Sequence, residues 1–131
     1  MRFSMQDDVA PGSAHSRTSG QWKQDILRTY NRVKQDVSGT GVERQQIHLH
    51  DAHFLIVAVH QRVPALATIA RVDPQLGRWG DVAIIDANKE MFATALSEDL
   101  GIQAHGMFQD YDPTSQTAVT VVLLASPLPF S

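Results

Sequence analysis

The run Phe54-Leu55-Ile56-Val57-Ala58-Val59 constrains this chain more than any other feature. Uninterrupted apolar, β-branched and aromatic side chains over so short a span read as a strand that needs both faces covered. Just before it, Gln46-Ile47-His48-Leu49-His50 alternates polar with apolar, the pattern of a half-buried strand. Asp51-Ala52 between them suits a tight turn, since Asp can bond its own backbone. The rest of the chain must therefore cover a hairpin.

An amphipathic helix is one source of cover. Thr18 and Gln21 form a T-x-x-Q capping pattern, followed by Trp22, Ile26, Tyr30, Val33 and Val37 at helical spacing, with Lys23, Asp25, Arg28, Arg32 and Lys34 filling the other face. Gly39 and Gly41 stop it and lead into the hairpin. Pro64 opens a short helix with Leu66, Ile69 and Ala70 on one side, and Pro74 prevents its continuation, so Val72 to Gly80 reads as a loop. Asp81 to Leu100 reads as a further helix with Val82, Ile85, Phe92, Leu96 and Leu100 on one face, closed by Gly101. A rival reading makes Val82-Ala83-Ile84-Ile85 a short buried strand, with Asp86 capping a helix that begins at Ala87. Ile102 to Gln109 and Thr117 to Ala125 read as strands around an Asp110-Tyr111-Asp112-Pro113 turn. The result is an α+β fold: an antiparallel sheet of two β-hairpins packed with two to three helices, in the order α-β-β-α-α-β-β. Residues 1–20 are polar and without hydrophobic period, so they read as a flexible tail; residues 21–126 form one domain and 127–131 a short C-terminal tail.

Composition narrows the function. At 131 residues, the chain suits one core and one site. Eleven Lys and Arg against fourteen Asp and Glu give a net charge of −3, which argues against a nucleic-acid partner or an anionic membrane surface. With no Cys, disulfides, thiolate nucleophiles and Cys-type metal sites are excluded. No apolar run reaches the roughly 18 to 20 residues of a membrane span, and the N-terminus lacks a signal-peptide core, so no membrane insertion and a cytoplasmic location are expected.

Few residues carry a chemical pattern. His48, His50 and His53 would converge across a two-residue hairpin turn as a candidate metal site, with His60 on the next strand and His105 further off. The competing reading is three solvated strand histidines, since no fixed ligand motif accompanies them. Asp110 and Asp112, with Glu98 and Asp99, admit an acid/base or hard-cation reading, yet Asp-x-Asp-Pro is first a turn sequence. Gly39-Thr40-Gly41 lacks the third Gly and the Lys of a phosphate loop, and no G-x-S-x-G elbow occurs. Gly39, Gly41, Gly101, Asp110, Asp112 and Pro113 are thus assigned to turns, with no catalytic residue and no cofactor.

The helix, the Gly39/Gly41 connector and the two strands over Leu27 to Val59 resemble the first half of the MpsC-like domains. The resemblance continues through Leu96-Ser97-Glu98-Asp99-Leu100-Gly101-Ile102, the D-x-D-P stretch Asp110-Tyr111-Asp112-Pro113 and the terminal strand Ala118-Val119-Thr120-Val121-Val122-Leu123, covering roughly residues 26 to 125. Where that family often has Pro after the second Gly this chain has Val42, and Val63-Pro64-Ala65-Leu66 replaces its Leu-Thr-x-x-Glu stretch without the acid. The resemblance implies a non-enzymatic accessory or regulatory subunit acting through protein contacts, linked to a membrane ion or inorganic-carbon transport complex. The alternative function is metal or small-ligand binding at the histidine hairpin.

Self-association follows from the apolar faces. Ile47, Leu49, Phe54, Ile56, Val119, Val121 and Leu123 should line an inner sheet face under the Trp22, Ile26, Tyr30 and Val33 stripe. The opposite face, with Leu55, Val57 and Val59, then needs the Phe92 and Leu96 helix or a second copy to keep it dry.

Overall fold

The computed structural model describes residues 16–130, so the expectation for the first fifteen residues lies outside it. Helix α1 (Ser19–Ser38) starts on the expected capping box: the Thr18 hydroxyl accepts from the Gln21 amide at 3.1 Å, and the Gln21 side chain accepts from the Thr18 amide at 2.8 Å. It ends at Gly39, whose φ of 75° is the left-handed cap that Gly adopts without strain. Trp22, Ile26, Tyr30 and Val33 are buried, as their spacing requires.

The segments at either limit of the described residues are tied to this helix. Leu128 is buried, the Trp22 indole donates to the Pro129 carbonyl at 2.8 Å, and Arg17 forms a parallel bridge with Phe130. Arg17 also stacks 4.3 Å from the Trp22 ring centre and pairs with Asp25 at 3.0 Å. Buried indole N–H groups need an acceptor, and the C-terminal strap supplies it.

Strands β1 (Arg44–Leu49), β2 (His53–Val59), β3 (Ala104–Asp112) and β4 (Thr117–Leu124) form one antiparallel sheet in the order β1-β2-β4-β3. The register aligns Ile47 with Ile56, Ile56 with Thr120, and Thr120 with Gln109. Because side chains alternate, this row and its i±2 neighbours share a face. Phe54, Ile56, Ala58, Ala118, Thr120, Val122 and Leu124 are buried beneath the helices. Val119, Val121 and Leu123 therefore lie on the other face, with Leu55 and Val57, and not on the inner one expected from sequence. The Asp110-Tyr111-Asp112 stretch is also strand, not turn: β3 runs through Asp112, and the reversal occupies residues 113–116, where Gln116 takes a φ of 54°. Asp112 caps that turn, accepting from the Ser115 amide at 3.2 Å and its hydroxyl at 2.8 Å.

Helices α2 (Pro64–Val72) and α3 (Pro74–Leu100) replace the expected loop over residues 72–80 with helix. Pro74 ends α2 and also opens α3, with Asp73 as N-cap accepting from the Leu76 amide at 3.2 Å. Gly77 and Gly80 are tolerated inside α3 because α2 crosses there. A Cβ on Gly77 would sit 2.5 Å from the Ala70 Cβ, and one on Gly80 2.3 Å from a Leu66 methyl. Val82 to Ile85 belong to the helix, so the strand alternative is not adopted. Phe92, Leu96 and Leu100 pack with α1 on the inner sheet face, where Phe92 meets Tyr30 edge-on at 5.3 Å. Gly101 closes α3 at φ 67°.

Candidate functional site

Two features of this architecture invite function, one on the sheet and one beneath α2. All three described helices lie on the inner side, α1 against β1 and each other, α3 against β3, and α2 against α3 alone. Among the described residues nothing covers the outer face. Its centre is apolar: Leu55, Val57, Val59, Val121 and Leu123 are half-buried by their neighbours, Val119 is exposed, and Phe108 is 62% exposed. Its two margins differ in charge. Arg44, Val59, Thr117 and Asp112 form one cross-strand row, so a cation stands at the β1 edge and a carboxylate at the β3 edge, with Asp110 two residues along. Hydrogen bonds from Ser115 hold the Asp112 carboxyl below the usual range, which keeps it charged.

The second feature is a buried polar cluster that the sequence reading did not find. On the inner face near α2, Lys34 of α1, His60 just after β2, and Asp81 and Asn88 of α3 are each nine-tenths or more buried. They line a partly open cleft edged by Val63 and Leu66, with a cavity volume of about 30 Å3, about enough for one water. Arg62 grips Asp81 through both carboxylate oxygens, at 3.0 and 2.6 Å. The Lys34 ammonium donates to the Ser38 hydroxyl at 2.7 Å, and no carboxylate among the described residues pairs with it. Asn88 donates to Gln109 at 3.1 Å and Gln109 to Thr120 at 2.7 Å, while Asn88 Oδ1, His60 Nδ1 and the Tyr30 hydroxyl have no partner.

Burial sets the ionisation here. It pushes the His60 pKa down to about 4, with the nearby Lys34 charge adding to the effect, so the imidazole is neutral near pH 7. The ring stacks on Tyr111 with centres 5.0 Å apart, and the Tyr111 hydroxyl donates to the His60 carbonyl at 3.0 Å. Burial also lowers the Lys34 pKa and raises that of Tyr30.

The histidine hairpin brings His50 and His53 together across the turn as expected, without a third ligand among the described residues. His50 and His53 stack across the turn, ring centres 4.7 Å apart, but no group of three His, Cys, Asp or Glu is placed for a metal among the described residues, so His48 does not join them as a third ligand. Gly39 and Gly101 take left-handed φ at the ends of α1 and α3, Asp112 ends β3 and caps the turn after it, and a Cβ on Gly41 would lie 3.2 Å from the Gln35 side-chain nitrogen and 3.4 Å from the Asn31 oxygen, a tight but adjustable fit. Asp110 does not turn the chain; it accepts from its neighbour's amide at 2.9 Å and stands 3.8 Å from Arg78.

Comparisons with protein families, with curated proteins and with solved structures return no match to this chain. No helix among the described residues is long and apolar enough to cross a membrane.

Proposed function

We propose that the protein works by protein–protein association, as a non-enzymatic accessory subunit of MpsC-like type that self-associates through its outer sheet face. The observation that carries this reading is the uncovered apolar centre of that face, from Leu55 and Val57 to Val121 and Phe108. Apolar rows of this size in water mark interaction surfaces. Four strands about 4.8 Å apart and seven residues rising about 3.3 Å each give a face of about 440 Å2, hence about 900 Å2 for two copies before side-chain relief. That lies below the usual range of stable specific interfaces and suits a weak, concentration-dependent dimer.

The margins select the arrangement. A two-fold axis parallel to the strands lays β1 of each copy over β3 of the other, bringing Arg44 over the Asp110 and Asp112 margin of its partner. An axis across the strands would stack β1 on β1 with its direction reversed, leaving Arg44 over the Leu49 end of its partner's β1 with no carboxylate opposite. Aligned packing of two twisted sheets offsets the strands by about 30°, within reach of both carboxylates. The exposed corner at Val72, Leu76 and Trp79 stays free in this dimer for a different partner, such as the membrane transport complex that the MpsC-like resemblance implies, with the chain itself on the cytoplasmic side.

Charge reversal tests the reading by sedimentation equilibrium. Arg44→Glu and Asp110→Lys should each weaken the dimer about fivefold, since two symmetric rim pairs contribute about 0.5 kcal/mol each. Combined, they should restore it. Dimers indifferent to both single reversals would refute this arrangement of the faces.

A further inference from the structure

We propose that the cleft beneath α2 binds a small monocarboxylate with a short apolar tail. The site is independent of the sheet face and lies on the other side of the sheet. The charged groups around the cleft carry one net positive charge: Lys34 and Arg62 against Asp81, with both Asp81 oxygens held by Arg62. Lys34 is thus the cation there without a counter-ion, and a buried ammonium lacking an anion is costly to a fold. A carboxylate would supply that anion and turn a liability into a charge-assisted hydrogen bond.

The neighbouring unpartnered groups suit the same ligand. The neutral His60 ring, in the tautomer that carries its proton on Nδ1, and Asn88 each hold a buried polar atom without a partner at the cleft. The Asn88–Gln109–Thr120 chain can reverse as a unit, because the Thr120 hydroxyl either donates or accepts, so Asn88 can offer its NH2 to an anion. Opposite these groups, Leu66, Ile84 and Ile85 present a hydrocarbon wall for the tail.

The cleft is partly open but its cavity of about 30 Å3 is too small for a propionate, so seating the ligand requires α2 to move. That helix is built for it: it packs on α3 alone, buries no residue fully and has no side-chain cap at its start. Elements with so few anchors open at low free-energy cost. Leu66, seated over Gly80, is the side chain that shuts the cleft.

The test is a 1H–15N titration of the full chain with sodium propionate, against sodium chloride and propylammonium chloride at equal ionic strength. Propionate should produce saturable shifts at Lys34, His60 and Asn88 that neither control reproduces. Lys34→Met should weaken binding at least about tenfold, the usual loss on deleting one charge-assisted contact. Leu66→Phe, which fills the tail region and leaves every charge in place, should discriminate against propionate in favour of formate even if the Lys34 variant fails to fold. Shifts that follow ionic strength alone, or an absence of saturable shifts in the wild-type chain, would overturn the proposal and leave the cleft to a buried water.

Discussion

The two faces of β2 carry nearly the same chemistry and meet opposite fates. Phe54, Ile56 and Ala58 point inward and lie fully buried under α1 and α3, whereas Leu55, Val57 and Val59 point outward and stay partly wet. A continuous apolar strand demands cover twice, and the described residues supply it once. Intramolecular packing then accounts for stability, and the uncovered side is left for association.

If that contrast is right, substitution on the two faces should differ sharply. Phe54→Ala should destabilise the monomer by about 3 to 5 kcal/mol in chemical denaturation, the range for removing a buried aromatic ring. Val57→Thr, three residues along the same strand but on the outer face, should stay within about 1 kcal/mol when measured at concentrations where the monomer dominates. Equal costs at the two positions would mean that the outer face is covered after all.

The inner face has its own division, between the dry core at Phe92 and Leu96 and the polar cluster at Asp81. Asp81→Ala should cost about 3 kcal/mol, because it strands the largely buried Arg62 without its carboxylate. A loss under about 1 kcal/mol would show that Arg62 reaches solvent readily.

A smaller effect, with a distinct pH signature, belongs to His60. Its folded pKa, about 4, lies below the roughly 6.5 of an unfolded histidine. Between those values the unfolded chain takes up a proton that the folded chain refuses, so the stabilising contribution is complete above about pH 6.5 and declines as pH falls towards 4. The full span is an upper bound of about 3 kcal/mol, and His60→Leu should remove the step from a plot of unfolding free energy against pH. Removing the Lys34 charge by Lys34→Met should raise the folded His60 pKa towards the unfolded value and so make the same step smaller and narrower.

These contrasts also show what the sequence could disclose. The first helix was legible to its caps, because T-x-x-Q, the period of Trp22 to Val37 and Gly39 all agree with one another. The α+β class and element order were legible for the same reason. The face of β4 was not, since Thr117 to Leu124 is apolar at both parities and a shift of one residue exchanges inside for outside. Pro74, Gly77 and Gly80 suggested a break because single-residue rules treat them as breakers, whereas Pro74 sits at the first helical position and the glycines admit α2. The polar cluster left one unused signal: Asp81 and Asn88 are seven residues apart, in the same helical stripe as Phe92 and Ala95. Its other members, Lys34, His60 and Arg62, come from separate elements and have no shared pattern to find.

The most direct test of the account is the mass of the full chain by light scattering over a wide concentration range, alongside Val57→Lys. The wild type should pass from 14.5 kDa to twice that mass across the micromolar range, while Val57→Lys stays at 14.5 kDa with an unchanged monomer melting profile. A wild type that remains at 14.5 kDa up to about 1 mM, the weak-binding end of the affinity scale, would contradict the claim that its outer sheet face is an association surface.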